Sequence, residues 1–261
     1  MTALAARRRH PLATAVLVFL GLLVTGLIYA GLTPGQASAA GASSDDVAAG
    51  KALFNANCVT CHGRNAEGRT NAPSLVGVGA AAVDFQVGTG RMPLGPSGPQ
   101  APKVSDIKYT DAQIKQLAAY VASLGPGPAI PTDADTDPAK GNPSNGANLF
   151  RVNCAMCHNF AGKGGALTYG KYAQNLDGST PKHITEAMLT GPQSMPVFDD
   201  KTVTSQDKRD IIAFLATIQK APTPGGLSLG SIGPVGEGLV GWLIGLGVLV
   251  GCAVWLGAKS A

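Results

Sequence analysis

The stretch "GKALFNANCVTCHGRNAEG" at 50–68 decides how this chain is read. It places Cys58 and Cys61 with two residues between them, and His62 directly after the second. Close cysteine pairs serve three chemistries: a zinc knuckle, a redox dithiol and a covalently attached haem. Each makes different demands on the rest of the sequence, so the rest can choose among them.

The stretch recurs. "GANLFRVNCAMCHNFAGKG" at 146–164 aligns with it without a gap, so that Gly50, Phe54, Cys58, Cys61, His62 and Gly68 meet Gly146, Phe150, Cys154, Cys157, His158 and Gly164. A Gly-rich loop and a Met-Pro pair follow each copy, "GRMP" at 90–93 and "QSMP" at 193–196. An amphipathic segment then closes each unit. Ile114, Leu117, Tyr120, Val121 and Leu124 keep helical spacing in the first, and Ile211, Phe214, Leu215 and Ile218 in the second. Thr110 with Gln113 reads as a capping box. The expectation is two similar small helical domains, 41–125 and 142–220. A Pro/Gly/Asp linker at 126–141, loose enough to permit several placements, joins them, and a second Pro/Gly stretch runs over 221–238.

Zinc needs four N or S ligands. Outside the motifs the chain offers only Cys252, His10 and His183, too few for two sites. A thioredoxin-like dithiol would open a helix after a strand, whereas each pair here follows a helical segment. A c-type haem needs two thiols to add across its vinyl groups and a histidine beside the second to bind iron, which C-x-x-C-H supplies in one turn. The reading is therefore two covalently bound haem c groups, on Cys58/Cys61 and Cys154/Cys157, with His62 and His158 as axial iron ligands. For the sixth ligand the first domain offers Met92. The second offers Met195, in the matching Met-Pro context, with Met188 as the competitor at the literal repeat offset. "STPKHITEAMLTG" at 179–191 reads as a helix opened by Thr180 and Pro181, which makes Met188 a packing residue and His183 a surface one. His/Met ligation raises the potential.

Charged residues are only 14% of the 261 and the formal net charge is +4, without a basic block beyond the N-terminus; nucleic acid is not an expected partner. Two uncharged stretches account for the low charge. Residues 12–32 and 239–258 are each about the 20 residues needed to cross a bilayer. Arg7, Arg8 and Arg9 precede the first, which puts the N-terminus in the cytoplasm, the domains on the outer face and the C-terminus back inside. "ASAA" at 37–40 is where a signal peptidase could cut, so residues 1–40 read as an anchor or a signal. The apolar run is longer than a usual signal core, which favours the anchor. Gly241, Gly245, Gly247 and Gly251 give the last span small faces for helix packing, and Cys252 has no assigned role.

These features resemble class I cytochromes c. "APSL" at 72–75 looks like that family's Pro-x-Leu. The resemblance implies that the Pro73 carbonyl orients His62 and that Leu75 packs on the haem. "AQNL" at 173–176 lacks the proline, leaving the acceptor for His158 open. Phe54 with Tyr120, and Phe150 with Phe214, resemble the aromatic contact where the first and last helices cross. The fold class implied is mostly α, two tandem class I cytochrome c domains between an N-terminal and a C-terminal transmembrane helix. That layout is similar to the dihaem cytochrome c subunit of actinobacterial bc1-type complexes. It implies a translocase subunit with no catalytic site of its own, whose partners are a Rieske iron–sulfur subunit, a cytochrome b subunit and an aa3-type cytochrome c oxidase. The alternative is a membrane-anchored dihaem carrier for a periplasmic dehydrogenase or an oxidase. A dihaem peroxidase needs an open iron, which two methionine ligands would close.

Overall fold

The computed structural model describes residues 11–32, 42–95, 98–220 and 234–259. Arg7 to Arg9, the "ASAA" at 37–40 and most of the 221–238 stretch lie outside the described residues. The first helix, α1 (Pro11–Leu32), forms a unit by itself. Over Leu12–Ile28 it is apolar, with its large side chains exposed. Among the described residues one helix is long and apolar enough to cross a membrane, the segment Gly238–Ala258 near the C-terminus. The expected N-terminal span coincides with a helix, but its apolar run falls short of that length.

The first repeat folds as α2 (Ser44–Asn57), a single turn α3 (Val59–His62), α4 (Gly79–Gly88) and α5 (Asp111–Ser123). Capping boxes open α2 at Ser43 with Asp46 and α5 at Thr110 with Gln113, satisfying helix N–H groups that have no partner of their own. The helices α2 and α5 cross at Phe54 and Tyr120, whose rings lie 5.2 Å apart. Around that crossing Ile114, Leu117, Ala118 and Val121 are buried together with Val83 and Val87 of α4.

The linker is not a free tether. It holds α6 (Asp133–Thr136) and a 3₁₀ turn (Pro138–Lys140). The Pro128 carbonyl accepts from the Ala81 N–H, Ile130 packs on the first core, and the Lys140 carbonyl accepts from the Gln206 side chain. These bonds are long-range in sequence and leave no apolar periodicity in the linker itself.

The second repeat runs through α7 (Pro143–Asn153), the turn α8 (Ala155–His158), a two-stranded hairpin of β1 (Gly165–Ala166) and β2 (Tyr172–Ala173), then α9 (Pro181–Thr190) and α10 (Ser205–Lys220). The strands pair antiparallel, Ala166 opposite Tyr172. Phe150 and Phe214 meet at 5.5 Å where α7 and α10 cross. The crossing is so close that a Cβ on Gly146 would sit 1.9 Å from the Asp210 carbonyl oxygen. The same holds for Gly50 against Gln116, also at 1.9 Å. Backbone cannot yield to that overlap, so the repeated glycine is what allows the repeated crossing. The last helix, α11 (Pro234–Lys259), carries the apolar segment, exposed along its length.

Candidate cofactor sites

In each domain the motif cysteines begin and end one tight turn. Cys58 N donates to Phe54 O at 2.8 Å and His62 N to Cys58 O at 2.9 Å. Cys154 N and His158 N repeat these bonds to Phe150 O and Cys154 O at 2.8 and 2.9 Å. The carbonyl of each histidine then accepts from a glycine N–H, Gly68 at 2.8 Å and Gly164 at 2.9 Å. Both glycines have positive φ (85° and 78°) and a Cβ there would strike backbone, so the loop after the motif closes the same way twice.

The imidazoles are oriented alike. His62 Nδ1 lies 2.9 Å from Pro73 O and His158 Nδ1 lies 2.9 Å from Gln174 O. A carbonyl only accepts, so Nδ1 carries the proton in both rings and the Nε2 lone pair is left for a metal. The acceptor left open in the sequence is therefore Gln174. A main-chain carbonyl does the work, and proline is not needed for it.

Cys58, His62, Pro73, Leu75 and Met92 line one cavity, while Cys61 is exposed. Cys154, Cys157, His158, Met188 and Met195 line another. Met188 is almost fully buried in the core with Phe150 and Ile211, and Met195 is partly buried against the same cluster. Burial pushes the Cys154 thiol up to about 11, with Cys157 adding to it, and pushes the Cys58 thiol up with help from Cys61. Reactive and metal-binding thiols are normally shifted the other way, towards thiolate. Burial also holds the His158 imidazole below its ordinary value, so it is neutral and able to bind metal. Two thiols, a neutral imidazole with Nε2 free and an apolar cleft together fit a covalently attached haem.

Each cavity is finished by the other domain. Leu189, Pro192 and Gln193 line the first, and Phe85, Thr89, Arg91, Gln100 and Lys103 line the second. Sequence reasoning missed these residues, because nothing in a linear pattern shows which side chain will reach a neighbouring domain. The interface between the domains is polar and partly buried. Lys182 Nζ pairs with Asp84 Oδ2 at 2.6 Å, and His183 stands edge-on to Phe85 at 6.2 Å with Nε2 3.9 Å from the same carboxylate. His183 is thus an interface residue, with a side chain only 20% exposed; helix position alone had made it a surface one. Glu186 is fully buried. Burial, and the neighbouring Asp84 carboxyl, raise its pKa to about 9.

Comparison with known proteins agrees with this geometry. The family model described as "Cytochrome c" matches residues 47–125. The one described as "Cytochrome C oxidase, cbb3-type, subunit III" matches 141–215. The "Cytochrome bc1 complex cytochrome c subunit" of Corynebacterium efficiens is 44% identical over 272 aligned residues, covering 97% of this chain and 90% of that protein. Its namesake from Mycobacterium tuberculosis is 45% identical over 262, covering 97% and 93%. A "Cbb3-type cytochrome c oxidase subunit FixP" from Sinorhizobium medicae is 32% identical over 127 residues, 45% of this chain and 40% of its own. With two cytochrome c domains of the kind that hold haem c covalently, and similarity sustained almost end to end, the chain belongs to the family of cytochrome bc1 complex cytochrome c subunits.

Proposed function

We propose that this chain is the electron-transfer dihaem cytochrome c subunit of a respiratory quinol–cytochrome c reductase. It takes electrons from a Rieske iron–sulfur subunit beside a cytochrome b subunit and passes them towards an aa3-type cytochrome c oxidase. The observation that carries the reading is the near full-length similarity to relatives named as that subunit.

Two haem c groups supply one-electron chemistry when bound. The residues that would hold them are Cys58 and Cys61 in the first domain and Cys154 and Cys157 in the second, with His62 and Met92, and His158 and Met195, as axial ligands. The chain's own part is orientation and exclusion of water. Pro73 O and Gln174 O fix the rings of His62 and His158. Leu75 and Phe54 in the first cleft and Phe150 in the second keep the walls apolar, which together with methionine ligation favours a high potential. On this reading the chain's part is electron transfer, with the catalytic site of the reductase on other subunits.

The localisation that goes with this role is the cell membrane, with two spans, both termini in the cytoplasm and the haem domains on the outer face. Among the described residues, a Cβ on Gly241, Gly245, Gly247 or Gly251 would meet nothing within 4 Å outside its own helix, and small faces of this kind suit close packing against a span of another subunit. The partial likeness to an oxidase subunit keeps a second reading, a dedicated carrier for an oxidase or a periplasmic dehydrogenase. The test is a reduced-minus-oxidised spectrum of the protein purified from its own membranes in mild detergent. Bands of b-type and a-type haem in fixed ratio to c-type are expected. A c-type band alone, with no b-type partner recovered by cross-linking, sinks the reductase assignment in favour of the carrier.

A further inference from the structure

A buried guanidinium without an anion is costly, because desolvation of the charge is offset only by a close opposite charge and filled hydrogen bonds. Arg91 is such a group. It is 7% exposed. Its Nη1 donates to Thr89 Oγ1 at 2.5 Å, and its Cζ lies 4.6 Å over the Phe85 ring. Among the described residues no carboxylate forms an ion pair with it. Thr89 and Phe85 belong to the first domain and fix the direction of the side chain. The cavity it lines belongs to the second.

The wall of that second cavity is unbalanced. It includes two permanent cations, Arg91 and Lys103, both supplied by the first domain, and no aspartate or glutamate. The wall of the first cavity includes no charged aspartate, glutamate, lysine or arginine at all. A cavity with fixed positive charge and no anion of its own is built for an anionic guest. A haem c carries two propionate carboxylates, planar anions that match the guanidinium fork. Resting on the reading that haem is attached at Cys154 and Cys157, we propose that Arg91 of the first domain binds a carboxylate of the haem held by the second domain. Lys103 supplies the further cation on the same wall. Arg91 directly precedes Met92, so one dipeptide serves both sites: its arginine faces the second haem and its methionine the first.

The sign of the effect follows from charge. Reduction of the iron adds an electron, so a nearby cation stabilises the reduced form and its loss lowers the potential. The experiment is a spectroelectrochemical titration of the full-length holoprotein and its Arg91→Gln and Arg91→Lys variants. Haem is counted first by pyridine haemochrome, and the second haem is assigned by its disappearance from a Cys154→Ala/Cys157→Ala chain. Arg91→Gln should shift the reduction equilibrium of the second haem roughly tenfold towards oxidised, about 59 mV for one electron, with the first haem moving less. Arg91→Lys should keep most of the native value. Two haems with an unmoved second potential in Arg91→Gln overturn the proposal, as does a larger shift at the first haem, which would mean that the residue acts only through Met92. Fewer than two haems in the unaltered protein would instead overturn the haem reading beneath it.

Discussion

The two domains share a scaffold and differ in how they are walled. In both, a glycine lets the first and last helices cross, an aromatic pair marks the crossing, and a main-chain carbonyl holds the motif histidine at 2.9 Å. In the first, α4 is largely buried and mostly apolar; in the second, α9 buries Thr185 and Glu186 beside Met188. The first cavity has neutral walls, while the second borrows its cations from its neighbour. Duplication has thus kept what a haem pocket needs to fold, while the residues where the copies meet have diverged. The meeting surface, more than either pocket, is where the second domain acquires its own electrostatics.

That comparison can be broken most forcefully at the cysteines. Replacing Cys58 and Cys61 by alanine, or Cys154 and Cys157, should each halve the haem per chain, read by pyridine haemochrome. If one pair can be lost without loss of haem, the domains are not equivalent carriers. The glycine crossings come next. Gly50→Ala and Gly146→Ala should each cost about 3 kcal/mol, the upper end of what overpacking typically costs, seen as a lowered thermal midpoint of the holoprotein. Equal costs would confirm one shared crossing, and a tolerated substitution in either domain would show that its helices can move apart.

A smaller effect belongs to the interface. Glu186 titrates near 9 when folded and near 4.3 when unfolded, so the folded state holds its proton over that interval. Its contribution is fully present below about pH 4.3 and is lost as pH climbs towards 9. Glu186→Gln should remove most of this alkaline weakening. At pH 8.5 the variant should be more stable than the native chain by several kcal/mol, and the gap should narrow steadily towards pH 5. Urea melts at the two pH values test it, and a pH-independent gap would count against a buried proton on Glu186.

The smallest effect separates residue from backbone. Exchanging Pro73→Gln and Gln174→Pro should leave both haem potentials within error, because each carbonyl stays in place. A changed potential in either variant would mean that the proline ring itself has a role there.

Much of the fold was legible in the sequence for local reasons. Helical spacing on 114–124 and 211–218, the Thr110 capping box and the aligned repeat all act within a few residues, and α5, α10 and both motif turns follow from them. The carbonyl of Gln174 was also within reach, since "AQNL" stands where "APSL" does, but attention to the missing proline hid a bond that any residue can make. Arg91, Lys103, Asp84 and His183 were not legible in the same way. Each draws its meaning from a contact across the two domains, which no periodicity encodes. The linker's contacts were hidden for the same reason: they are made to Ala81 and Gln206, residues far from it in the chain.

One contact reaches beyond electron transfer. The amide of Gln100 gives its Nε2 hydrogen to Tyr172 O at 3.1 Å and takes the Tyr172 N–H on its Oε1 at 2.9 Å. Both main-chain groups of a strand residue are thereby engaged by a single side chain, standing where a third strand would otherwise lie. A short ladder with an open edge is a template for pairing with another chain. Here the Gln100 side chain of the first domain occupies that edge at Tyr172, so β2 is closed there to pairing with a further strand.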